Sequence, residues 1–166
     1  ERNKIYLGDC IELLKQIEDN SVDLIIADPP YNIGKNFGPK SKVWKNLDDW
    51  YQWCCEWLDL CIDKLKPTGS IFIYGIHNYL CFLQVYLMKK GVHYRRQFIW
   101  HYENGFARFT KMPAAFYEPL LWCSKGDEFT YHVIREPYKS QERLKHKVTK
   151  KDGTPWTPNP EGRITG

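Results

Sequence analysis

The run Val22-Asp23-Leu24-Ile25-Ile26-Ala27 ends abruptly in Asp28-Pro29-Pro30-Tyr31, and no other stretch constrains the fold so tightly. Branched and apolar side chains from Val22 to Ala27 predict a strand buried on both faces. Two consecutive prolines cannot extend a sheet ladder, because neither donates a backbone N–H and each fixes its own φ. The chain must therefore leave the sheet at Asp28 in a stiff, extended turn. That puts a carboxylate, a carbonyl without competing donors and an aromatic ring at the carboxyl end of a strand. In open α/β sheets, ligands bind at such ends.

The exocyclic amine of an adenine is a poor nucleophile, since its lone pair is delocalised into the ring. The Asp28 carboxylate and the Pro29 carbonyl can each accept one of its two N–H bonds. Held that way, the nitrogen is drawn toward tetrahedral geometry and its lone pair is freed for attack on a methyl donor. The stiff Pro29-Pro30 pair supplies orientation, and Tyr31 can stack on the base. A base inside a duplex reaches such a pocket only after it is flipped out.

Asp28-Pro29-Pro30-Tyr31 resembles the catalytic motif of the S-adenosylmethionine-dependent amino-DNA methyltransferases. Its aspartate matches the N6-adenine branch, whereas the N4-cytosine branch usually carries serine there. The resemblance runs from about Lys4 to Lys125. Ser70 to Gly75 resembles the family's strand after the catalytic one. Trp100-His101-Tyr102-Glu103-Asn104 is similar to its Trp-x-Lys-x-Asn segment near the target base, with Tyr102 in place of the lysine. Phe116-Tyr117-Glu118 and Trp122 to Lys125 resemble the strand that follows. The resemblance implies catalytic roles for Asp28, Pro29, Pro30 and Tyr31. It also implies an S-adenosylmethionine site drawing on Asp9, Cys10 and Asp28, no metal, and DNA as partner. The setting implied is the cytoplasm of a cell with a restriction-modification system.

Along the chain, Ile5-Tyr6-Leu7 reads as a short strand before a helix over Ile11, Leu13, Leu14 and Ile17, capped by Asp9. Asn46 to Leu65 has helical apolar spacing, with Asp48 and Asp49 favouring its first turn and Lys64 its last. Trp50, Trp53 and Trp57 share one face there. Packing on the sheet is the plainer reading of them, and base stacking the other. Lys66-Pro67-Thr68-Gly69 reads as a helix-breaking turn before a strand from Ser70, so a parallel β–α–β unit is expected. A third helix over Tyr79 to Lys90, with Leu80, Leu83, Val85 and Leu87 inward, ends at Gly91. Strands are expected at Tyr94–Tyr102 and Phe116–Cys123, with Pro119 marking a bulge or edge. Phe129 to His132 is a further strand candidate.

Charge is unevenly placed. From Arg135 to Gly166 there are eight Lys/Arg against four Asp/Glu, a surplus equal to the whole-chain net charge of +4. A basic end on a neutral body suits phosphates, and a solvated tail is the plainer alternative. Lys35, Arg108, Lys111, Lys145 and Lys147 are the candidate nucleic-acid contacts. The six cysteines show no Cys-x-x-Cys spacing and the five histidines no ligand spacing, so neither a zinc site nor a disulfide framework is suggested. No apolar run reaches the length of a membrane span.

The expected fold class is α/β. It consists of a Rossmann-like methyltransferase sheet with helices on both faces over residues 1–132, then the start of an irregular target-recognition region over 133–166. The family's Gly-x-Gly cofactor loop has no counterpart among the glycines. In the subgroup that places that loop after the recognition region, the chain would be incomplete at its cofactor end. Two other readings stay open: an RNA or protein-glutamine methyltransferase using a related Pro-Pro-Tyr turn, and a non-catalytic DNA-binding fragment.

Overall fold

Asp9 starts the first regular element. In the computed structural model, which describes residues 3–33, 44–103, 115–140, 144–145 and 148–164, its side chain accepts from the Ile11 amide at 2.9 Å. This caps α1 (Cys10–Leu14). The apolar run ahead of it is not a strand. Ile5 and Leu7 are fully exposed and pair with no described segment, so their backbone has no ladder to hold it extended.

β1 (Val22–Ala27), α2 (Leu47–Lys64) and β2 (Leu65–Tyr74) form the expected unit, with β1 and β2 parallel. Asn46 caps α2 by accepting from the Asp49 amide at 2.8 Å, and Asp48 and Asp49 occupy its first turn. β2 begins where α2 stops, so Lys66 to Gly69 lie inside the strand and are not a separate turn. The ladder jumps from Val22↔Leu65 to Leu24↔Ser70, and a bulge absorbs the extra residues of β2. Pro67 is tolerated there because no ladder bond needs its nitrogen. Gly69 is needed there: a Cβ would stand 3.0 Å from the backbone oxygens of both Lys66 and Val22.

α3 (Leu80–Lys89) is followed by Gly91 at φ +81°, a left-handed position that glycine adopts without strain. Leu80, Leu83 and Leu87 are buried, while Val85 faces solvent because it falls out of the i, i+3, i+7 phase. β3 (His93–His101) and β4 (Tyr117–Ser124) are antiparallel, and the four-stranded sheet runs β1-β2-β4-β3. Pro119 therefore sits in a strand flanked on both sides, not at an edge. It fits because the β2 ladder ends at Tyr74↔Leu120, leaving Pro119 only to accept, from the Gly75 amide at 3.3 Å. Phe129 to His132 forms no strand. Phe129 instead packs edge-on to Trp122 at 5.3 Å and lies 4.3 Å from the Arg95 guanidinium.

Ile11, Trp50, Cys54, Trp57, Leu58, Leu83, Leu87, Ile71, Ile73, Leu121 and Cys123 make one core, so residues of all three helices close on one face of the sheet. The opposite face is formed by the strands' own side chains. Phe72, Phe98 and Trp122 stack on one another there. Leu24 (52 %) and Ile26 (66 %) are exposed on the same face, so β1 is not buried on both sides. It is an edge strand, paired only with β2 among the described residues, and the described helices cover one of its faces.

The chain divides into two compact units, Glu1–Thr130 and Tyr131–Gly166. The second holds the antiparallel pair β5 (Arg135–Glu136) and β6 (Arg163–Ile164). Arg135 pairs with Glu161 at 3.1 Å, Arg163 pairs with Glu136, and Tyr138 meets Trp156 edge-on. Among the described residues, no helix is long and apolar enough to cross a membrane.

Candidate active site

The prolines stop β1 at Ala27, and the next four residues stand at the carboxyl end of the strand. Asp28 and Pro30 are exposed, Pro29 is buried and Tyr31 is half-buried. The Tyr31 hydroxyl donates to Asp28 Oδ1 at 2.6 Å. Burial first, then that hydrogen bond, then the charges of Asp28 and Glu118 hold the phenol well above its ordinary pKa. It therefore stays a donor across the neutral range. A carboxylate offers about four lone-pair positions, so the phenol leaves Asp28 able to accept from a second partner.

An open cavity of about 780 Å³ borders this turn. Asp9 and Cys10, at the start of α1, line it together with Asp28, Pro29, Trp53 and Trp57. The three residues expected at the cofactor, Asp9, Cys10 and Asp28, thus share one cavity. Tyr31 is not among its walls. It lines a narrow crevice with Trp50, Tyr74 and Tyr79, and Pro29 belongs to both spaces. The turn is thereby a partition: its carboxylate opens on the large cavity and its ring on the aromatic crevice.

The remaining candidates are scattered. Lys35, Arg108, Lys111 and Lys147 lie outside the described residues, as does Asn104 of the Trp100 segment. Lys145 is exposed in the second unit. Trp100 is exposed near the end of β3, opposite Glu118 of β4.

Sequence reasoning did not anticipate the residues that hold the turn in place. The Trp50 indole donates to the Pro30 carbonyl at 2.8 Å. Asn32, at φ +52°, donates to the Asn46 carbonyl and accepts from the Trp44 amide, both at 3.3 Å. One signal was available: Pro29 and Pro30 bring no N–H to the turn, so any protein donor to the Pro30 carbonyl comes from outside the pair. Which donor it would be is a matter of helix placement.

Comparison with known proteins bears on the family and the fold. A DNA methylase family model, covering the N6 and N4 types, matches residues 22–161. The type II methyltransferase M1.MboII of Moraxella bovis is 33% identical over 100% of the chain and 65% of its own length. The DNA adenine methyltransferase YhdJ of Escherichia coli (strain K12) is 35% identical over 75% of the chain and 42% of its own length. The cytosine-N4-specific PvuII DNA methyltransferase superposes with a TM-score of 0.64 at 18% identity, over 77% of this chain and 51% of that one. The S-adenosylmethionine complex of M1.HpyAVI gives 0.57 at 18% identity, over 82% and 62%. These structures share the Rossmann-like fold. The chain spans from 37% to 65% of the length of the relatives it matches. With the family model covering most of its length, and the motif, sheet and cavity arranged as described, the chain belongs to the N6/N4 DNA methylase family.

Proposed function

We propose that the chain carries the target-amine site of a site-specific DNA methyltransferase acting on N6 of adenine in a restriction-modification setting. The observation that carries this reading is the exposed Asp28 carboxylate, held at the end of β1 where the cavity and the aromatic crevice adjoin. Family membership and the adenine-specific relative support it.

The cavity suits S-adenosylmethionine in size, since small-molecule sites usually run to roughly 300–1,000 Å³. Its lining suits it chemically. Asp9 and Asp28 offer carboxylates to a cationic, hydroxyl-bearing ligand, and Trp53 and Trp57 offer apolar walls to a flat base. When bound, that group supplies an electrophilic methyl on a sulfonium. The chain's own part is to present the nucleophile. Asp28 accepts one N–H of the flipped adenine's amine, and the Pro29 carbonyl accepts the other. The nitrogen lone pair then points out of the ring plane. Tyr31, half-buried at the end of the turn, is assigned to supply the stacking surface for the base. No metal enters this chemistry, and DNA as substrate fits an intracellular, cytoplasmic setting. Lys145, with Lys35, Arg108, Lys111 and Lys147, is assigned to phosphate contacts.

The test is a labelled-methyl assay with the complete reading frame that encodes this chain, offered duplex DNA, RNA and protein, followed by product analysis. The expected product is N6-methyladenine in duplex DNA, with Asp28→Ala lowering kcat by about 10²–10³ as removal of a preorganised acceptor does. Methylcytosine, label on RNA or protein, or an Asp28→Ala enzyme as fast as wild type overturns the assignment.

A further inference from the structure

We propose that Trp50 is a positioning residue for methyl transfer, acting through the backbone of the catalytic turn and not by touching the base. The inference rests on the methyl-transfer reading and adds a residue to it. Neither Pro29 nor Pro30 has an N–H, so the pair offers no donor of its own to the turn's carbonyls. The Trp50 indole takes up this demand at Pro30, at 2.8 Å. Trp50 is 2 % exposed and packed against the Tyr79 ring at 5.4 Å, so the donor cannot swing away without opening the core. The residue after Tyr31 is tied to the same helix start, through Asn32 to Asn46 and Trp44. Both flanks of Tyr31 are thus bonded to the beginning of α2. The Pro30–Tyr31 peptide plane is held, which sets where the Tyr31 ring leaves the chain. Through two rigid prolines it also sets where the Asp28 carboxylate stands. Small displacements of such groups are costly to rate.

This places Trp50 apart from Trp53 and Trp57, which share its helix and line the cavity instead. Packing alone would ask only for a large ring at position 50. A positioning role asks for a ring that carries a donor.

The experiment compares wild type with Trp50→Phe, which keeps a ring and loses the N–H, and Trp50→His, which restores a donor. Steady-state methylation of duplex DNA and thermal melting are read together. In Trp50→Phe, kcat is expected to fall about ten-fold, the effect of losing one hydrogen bond felt in the transition state, with both KM values within about two-fold. Trp50→His is expected to recover kcat while melting no higher than Trp50→Phe. An unchanged kcat in Trp50→Phe, or losses that follow the melting temperature in both variants, overturns the proposal. A wild type that transfers no methyl sinks the methyl-transfer reading. The anchor itself is then read from indole hydrogen exchange: a slowly exchanging Trp50 N–H supports it, and one that exchanges as fast as a solvent-exposed indole overturns it.

Discussion

At the scale of single residues, Tyr31 carries two proposed roles, one in its ring and one in its hydroxyl. Its ring is assigned to stack on the base, and its hydroxyl takes one lone-pair position of Asp28, leaving the others to the amine. The phenol is held protonated by burial and by that carboxylate, so change of pH does not release it within the neutral range. Substitution separates the two roles. Tyr31→Phe keeps the stacking surface and frees the oxygen, so single-turnover methylation is expected to stay within about three-fold of wild type. Tyr31→Ala is expected to lose about ten-fold or more, because stacking of a base on an aromatic is worth roughly 1–3 kcal/mol. Equal losses in both variants would show that the hydroxyl matters more than the ring.

At the scale of elements, α2 and β4 carry buried thiols. Burial pushes the Cys54, Cys61 and Cys123 thiols up to about 12. In the unfolded chain each ionises near the ordinary value of 9.0. Between those two limits the unfolded state releases protons that the folded state keeps, so stability falls as pH rises. The contribution of these thiols is complete below about pH 9 and is lost progressively toward 12. Melting temperatures measured from pH 8 upward are expected to decline more steeply in wild type than in Cys123→Ala, which removes one such group. Parallel curves would refute the linkage. The exposed Cys10 and Cys81 should react with a thiol reagent in the native state, and Cys54 and Cys123 only on unfolding.

At the scale of the whole molecule, the surplus of basic charge belongs to the second unit, while the Asp28–Tyr31 turn and its cavity belong to the first. Sequence-independent phosphate binding is expected to depend on the former. The double change Lys145→Gln/Lys151→Gln should weaken DNA binding by a similar factor on all sequences and reduce the slope of log K against log salt by about 2. Titrations of specific and unrelated duplexes over a range of salt would show this, and an unchanged slope would remove these lysines from the interface. The Asp28→Ala enzyme should keep the wild-type slope, since its lesion lies in the amine site.

Much of the fold was legible locally because its causes are local. Asp9 caps its helix through an amide two residues away, and apolar phasing located α2 and α3. The prolines after Ala27 can end a strand whatever surrounds them. The turn after β1 was legible for the same reason: its stiffness and its acceptors are covalent properties of Asp28 to Tyr31. Tertiary structure decided the rest. An apolar strand does not state which of its faces is covered, so the edge position of β1 and the exposure of Leu24 and Ile26 emerged only from the sheet order. Whether Lys66 to Gly69 turn or bulge depends on the neighbouring strand against which they register. Asp9 and Cys10 meet Asp28 at one cavity only because α1 and the end of β1 are brought together. The Trp50 bond to Pro30 spans twenty residues of chain. Local chemistry wrote the site's reactive groups, and long-range packing, which sequence spacing does not encode, set the positions from which they act.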